Sequence, residues 1–234
     1  MEDLIFPILV IAAIGLFLFV LPSVTLGLVV IGERQVGVVI KRFARSSQKL
    51  PPGQLVALSG EPGYQADTLA PGWHFGYWSW MYSIQRVPVT VIQQGEIGLV
   101  VAADGSAVPP ERILCKTVDC DNFQDARKFL INGGEKGRQL AILTAGVYRI
   151  NTALFTVIMR SNAELHDMDP DSLLVYSIQP DMVGIVTTLD GAPISEGEIA
   201  GLYLPGHDNF QNAQSFVNAG GQRGLQEQVL LSGS

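Results

Sequence analysis

The sequence predicts an α+β protein in which an N-terminal transmembrane helix is followed by β-rich units with short helices, in three related repeats. An uncharged apolar run near the start and a glycine pattern that recurs three times carry that prediction.

No residue is charged from Leu4 to Ile31, LIFPILVIAAIGLFLFVLPSVTLGLVVI. As a helix, Leu4 to Leu21 rises about 27 Å, close to the thickness of a bilayer's hydrocarbon. A cleaved signal peptide is the competing reading. It needs a basic start and a small-residue cleavage site, whereas this chain opens Met-Glu-Asp and shows no A-x-A pattern after the run. The anchor is therefore assigned to residues 1–23. Pro22 ends the helix, because proline removes a backbone donor and clashes with the preceding turn. Val24 to Ile31 then opens a strand. Glu2 and Asp3 precede the span, and Arg34, Lys41, Arg42, Arg45 and Lys49 follow it. The positive-inside rule gives a single-pass membrane protein with its body on the cytoplasmic side.

Charge is unevenly spread. Residues 1–50 carry five Lys/Arg and three Asp/Glu, a balance of +2, which leaves ten against nineteen, or −9, for the rest. So acidic a body excludes nucleic acid as a partner. Cys115 and Cys120 are too few for a disulfide framework and read as small buried hydrophobes, acylated only if exposed near a bilayer.

Repetition defines the body. GERQVGVVI, QQGEIGLVV and QPDMVGIVT align on Gly37, Gly98 and Gly184. GEPGYQADTLAPG, GEKGRQLAILTAG and GQRGLQEQVLLSG share G-x-x-G-x-Q-x-x-x-L-x-x-G, which places Gly72, Gly137, Gly146, Gly224 and Gly233 among the structural glycines. Copies two and three also share an Asp-Gly loop (Asp104-Gly105, Asp190-Gly191) and the segments DNFQDARKFLINGG and DNFQNAQSFVNAGG. Asp121 and Asp208 stand where each would cap a short helix. The apolar residues Phe123, Ala126 and Leu130, then Phe210, Ala213 and Val217, recur at helical spacing. The expected units are 24–90, 91–176 and 177–234. The third breaks off one residue after its last matching glycine, which reads as the front portion of a longer polypeptide. GGEKGR and GGQRGL lack the Gly-Lys-Ser/Thr of a phosphate loop, and backbone geometry explains glycines that recur in three units.

The membrane segment, VVIGERQVGVVIKR and LAPGWHF together resemble the stomatin, prohibitin, flotillin and HflK/C superfamily, the SPFH or band 7 proteins. The duplicated GIV…DG and DNFQ…GGxxGxQ units are most similar to flotillin-like members. The resemblance implies an SPFH-type α+β region, normally followed by a long coiled coil that is absent from this sequence. It also implies a large homo-oligomeric ring or cage on a membrane.

Trp73, Phe75, Tyr77, Trp78, Trp80 and Tyr82 fall within ten residues and include all three tryptophans. The first three alternate on one face of an extended chain, and the others continue on the opposite phase. A strand half-buried in water has no use for rings on both faces, and Trp and Tyr collect where hydrocarbon meets water. The segment is thus expected to contact the membrane, with an ordinary aromatic core as the alternative.

Reactive constellations are thin. His74, His166 and His207 show no metal-ligand spacing. Asp167, Asp169 and Asp171 alternate as in a calcium loop, yet Ser172 and Ile178 stand where that loop needs glycine and glutamate. There is no G-x-S-x-G elbow and no zincin helix. Neither cofactor nor metal is expected. The sequence therefore supports a non-enzymatic, oligomerising scaffold that contacts membrane lipids and organises a membrane microdomain with its resident client proteins. A regulatory subunit enclosing a membrane protease is the alternative that the HflK/C branch implies. A membrane-anchored hydrolase stands as a third class, with no residue to assign to it.

Overall fold

The computed structural model describes residues 10, 11, 13–15, 26–43, 49–110 and 112–233. Strand accounts for 32% of the structure and helix for 14%, so the architecture is β-rich. The expected α+β class with a transmembrane helix is corrected on this point. The anchor assigned to residues 1–23 lies largely outside the described residues; Val10, Ile11 and residues 13–15 are helical. Among the described residues no helix is long and apolar enough to cross a membrane. The expected single-pass membrane topology, with its cytoplasmic body, is corrected by the same finding. Apolar run length alone does not establish a spanning helix. The helices of the repeats, α1 (Ala126–Ile131) and α2 (Ala213–Asn218), are six residues each, against about 20 for a bilayer.

Two compact units form. Unit one comprises Met1–Thr90, Gln124–Arg127 and Arg149–Leu154; unit two comprises Val91–Phe123, Lys128–Tyr148 and Phe155–Ser234.

In unit one, Val36, Gly37, Val38 and Val39 are buried in succession along β2 (Gln35–Lys41). A strand covered on both faces belongs at the centre of a sheet. β2 accordingly lies between β4 (Gly63–Leu69) and β6 (Tyr82–Pro88), with the short β3 (Val56–Ala57) parallel to β4 on its far edge. A separate ribbon joins β1 (Val29–Ile31) to β5 (Gly72–His74). Ile31, Val39 and Leu69 form a core cluster with Val29, Tyr77, Tyr82 and Ile84 packed against it. The returning segment Arg149–Leu154 belongs to this unit: Asn151 Nδ2 donates to the carbonyls of Gln65 (3.0 Å) and Ala66 (2.9 Å). Ile150 and Leu154 are buried beside it in sequence.

In unit two, β8 (Gly98–Ala102) lies between β9 (Gly137–Leu143) and β11 (Phe155–Ile158). β7 (Thr90–Ile92), of which Val91 and Ile92 belong to this unit, pairs with β10 (Gly146–Tyr148), and β12 (Thr187–Thr188) with β13 (Gly224–Leu225). Two 3₁₀ turns, Arg160–His166 and Pro170–Leu173, occupy the acidic stretch, where Asp169 caps the second by accepting from the Asp171 N–H. Ile158, Ala163 and Leu173 make a second core cluster there.

Steric need explains the repeated glycines. Gly37 pairs with Leu69, Gly98 with Leu143 and Gly184 with Leu230. In each copy an isoleucine six residues upstream lies across the glycine. A Cβ would stand 2.9 Å from Ile31 Cδ1 at Gly37, 2.5 Å from Ile92 Cδ1 at Gly98 and 2.8 Å from Ile178 Cδ1 at Gly184. Gly137 and Gly224 open β9 and β13, Gly72 and Gly146 open β5 and β10, and Gly233 lies in a turn.

The glutamine of the G-x-x-G-x-Q motif makes the same hook three times. Gln65 Nε2 donates to the carbonyls of Glu61 (2.8 Å) and Gly63 (2.9 Å). Gln139 Nε2 does so to Glu135 (2.8 Å) and Gly137 (2.9 Å), and Gln226 Nε2 to Gln222 (2.7 Å) and Gly224 (2.9 Å). Each hook holds the loop that enters its return strand, and Gln139 and Gln226 are buried while doing so. The Asp-Gly loops meet these glycine loops. Ser106 N–H donates to the Gly134 carbonyl (2.8 Å) and Lys136 N–H to the Ser106 carbonyl (2.9 Å). In copy three Ala192 and Gly221, then Arg223 and Ala192, repeat both bonds.

One local expectation is overturned. Asp121, Asn122 and Phe123 all have positive φ (53°, 50° and 62°), as do Asp208, Asn209 and Phe210 (48°, 49° and 66°). These residues form a left-handed turn before the helix, so the assignment of Asp208 as helix cap does not hold. Asn212 is the cap of α2, its side chain accepting from Ser215 N–H at 3.0 Å. His207 accepts the Phe210 N–H on Nδ1 (2.8 Å) and closes the turn from within.

Candidate functional site

The aromatic segment follows β5 and runs into β6. Leu26 and Gly27 lie beside it, their carbonyls accepting from the N–H groups of Gly76 and Tyr77, both at 2.9 Å. Gly76 has φ 85°, a conformation favoured by glycine, and reverses the alternation that Trp73 and Phe75 begin. Tyr77 therefore turns inward. It packs on the Ile31, Val39 and Leu69 cluster and meets Tyr82 edge to face at 5.3 Å between ring centroids. Burial pushes the Tyr77 hydroxyl above the ordinary tyrosine value, and the neighbouring Tyr82 and Asp67 add to the shift.

The carbonyl of Trp78 accepts from Met81 N–H (2.9 Å) and Tyr82 N–H (2.8 Å), closing a tight turn that carries Trp80 outward. Trp78 is half-buried and stacks with Trp80 at 6.4 Å. Trp73, Phe75 and Trp80 are 71%, 58% and 58% exposed, three large rings laid open within eight residues. Val30 pairs with Trp73 across the ribbon, and both it and Leu26 are exposed. Of the six rings, Tyr77 and Tyr82 face the core, Trp78 is half-buried, and Trp73, Phe75 and Trp80 face outward. Leu26 and Val30 are additions that aromatic content gave no way to find: strand pairing sets Val30 beside Trp73, and a backbone hydrogen bond from Gly76 sets Leu26 beside the same segment.

A second cluster in unit two is ionic and structural. Glu135 is buried; its carboxylate accepts from the Lys116 N–H (2.8 Å) and pairs with the Arg112 guanidinium. Burial raises its pKa, but the Lys116 and Arg112 hydrogen bonds outweigh that and hold the carboxyl below the usual range. Its contribution to stability is complete above the unfolded carboxylate value, about 4.3, and is lost as pH falls through the lower folded value. Glu135→Gln is expected to flatten the acid limb of stability against pH. Urea titrations between neutral pH and about pH 3 read this, and an unchanged acid limb would remove Glu135 from the account.

Cys115, in the same cluster, is fully buried. Its thiol is pushed up by burial and by the Glu135 charge, against the pull of Arg112 and Gln139. A buried thiol with a raised pKa is a poor nucleophile. Cys120 is buried as well, so neither thiol is exposed for acylation. His74 is bound to the Ala70 carbonyl (2.7 Å) and His207 lies against Phe210 and Phe216. Among the described residues no group of His, Cys, Asp and Glu has the arrangement to hold a metal ion.

Comparison with known protein families, with characterised proteins and with solved structures found no match to this chain.

Proposed function

We propose that this chain is a non-enzymatic scaffold module that associates with copies of itself and rests on a lipid surface through the outward rings of unit one. The observation that carries the reading is the exposed set Trp73, Phe75 and Trp80, edged by Leu26 and Val30, on a β framework. Indole and phenyl rings held outward by a fixed ribbon and a tight turn present apolar area with no backbone left to order on contact. Such rings settle at the boundary between headgroups and acyl chains.

The test is co-sedimentation of the full chain with phosphatidylcholine vesicles, with particle mass measured in parallel. Full burial of a large apolar side chain stabilises by about 1.5–3 kcal/mol, so losing two partly inserted rings in Trp73→Ser/Trp80→Ser is expected to weaken partitioning at least about tenfold. Partitioning unchanged by the double substitution would rule out lipid contact by this face. A particle mass that falls to a single chain on the same substitution would assign the rings to contact between copies instead.

A further inference from the structure

Unit two contains a half-open pocket of about 330 Å³ bounded by β9, residues 186–190 and α2. Arg138, Gln139, Leu140 and Ile142 of β9 line one wall. Ala213, Phe216 and Val217 follow helical spacing on α2 and line the opposite wall. The volume falls within the range of small-molecule sites, about 300–1,000 Å³, and the lining is mainly apolar, as such sites are.

The polar side chains in this wall differ in how far they are satisfied. Gln139 spends its amide on the hook described above. Thr188 donates its hydroxyl to the Gln222 carbonyl (2.8 Å). Asp190 is buried, with one oxygen taken by Gly191 N–H (2.8 Å) and the other by Leu114 N–H (2.9 Å). Arg138 is different. Its guanidinium has five donors, and its hydrogen bond is to the Met168 sulfur, a weak acceptor, at 3.0 Å. No carboxylate among the described residues is paired with it. A half-buried guanidinium with spare donors at the edge of an apolar cavity is matched by a ligand with an anionic head and an apolar tail.

We propose that this cavity binds a single-chain amphiphile, its acyl chain between β9 and α2 and its carboxylate or phosphate head on Arg138. The site lies in unit two and is independent of the aromatic face, so either reading can fail alone.

Equilibrium dialysis of the full chain against radiolabelled dodecanoate, dodecyl phosphate, dodecanol and dodecyltrimethylammonium tests it. Dodecanoate, dodecyl phosphate or both should bind saturably at one per chain, and the comparison of the two decides between a fatty acid and a phosphate-headed lipid. Dodecanol should bind at least about tenfold more weakly, the effect of losing a hydrogen bond to a charged group, and the cation weaker still. Arg138→Gln should reduce anion binding at least about tenfold and leave dodecanol unchanged, with Arg138→Lys recovering part of the loss. Val217→Phe, which fills the cavity and leaves Arg138 in place, should weaken every ligand. Thermal melts establish that each variant folds. Absence of saturable binding, equal affinity for dodecanol and dodecanoate, or anion binding that survives both Arg138→Gln and Val217→Phe would overturn the proposal.

Discussion

Gly105→Ala is expected to destabilise the fold by about 3–4 kcal/mol, a large part of the 5–15 kcal/mol typical of a domain. Gly105 has φ 138°, where an L-side chain is strained by about 1–3 kcal/mol. Its added Cβ would also stand 2.6 Å from the Gly134 carbonyl oxygen, a backbone atom that has no rotamer to retreat into. Relief requires the Asp-Gly loop to lift from the glycine loop, which strains the Ser106–Gly134 and Lys136–Ser106 bonds, worth about 1 kcal/mol each. Gly197→Ala is the control. It shares a positive φ, 91°, but its Cβ would meet open space, so only the backbone strain remains. Urea denaturation of both variants, followed by circular dichroism, separates the contributions. Equal losses would mean that the two loops are not seated on each other.

Phe129→Ala is expected to cost about 3–5 kcal/mol, the usual range for a large ring removed from a packed interior. Phe129 is fully buried, lies 4.9 Å from Phe155 and 6.2 Å from Phe123 between ring centroids, and fills the space that a Cβ on Gly134 would take. Leu130→Ala should cost much less, about 1 kcal/mol, because Leu130 is only partly buried. Denaturant midpoints of the two variants test the ranking. A Leu130→Ala loss equal to that of Phe129→Ala would mean that the helix presents a different face to the core.

That ranking shows where sequence reading stops. Helical spacing selected Leu130 beside Phe123 and Ala126, yet Phe129 carries the core in copy two and Phe216 in copy three. A usable signal was present, since in both copies the phenylalanine precedes the second glycine of the pair by five residues. The matching glycines at 37, 98 and 184 were legible because sterics leave no substitute for them. Asp121 and Asp208 misled for the opposite reason: Asp and Asn suit a helix cap and a left-handed turn alike, and Phe in the left-handed region leaves no trace in composition. In the aromatic segment, alternation sorted Tyr77 with Trp73 and Phe75, whereas the turn at Gly76 divides them. The apolar run that predicted the anchor measures hydropathy and length, and neither quantity fixes where a helix starts or stops.

The composite make-up of unit one has a consequence for synthesis. When a ribosome has released residues as far as Thr90, β2, β4 and β6 are all present, but the segments Gln124–Arg127 and Arg149–Leu154 are not. The carbonyls of Gln65 and Ala66 then lack the Asn151 amide, and the hydrophobic contribution of Ile150 and Leu154 is missing. Unit one therefore matures only after more than sixty further residues have emerged, so the order of folding departs from the order of translation. During that interval its unfinished strands are open to whatever chaperone or neighbouring nascent chain reaches them first.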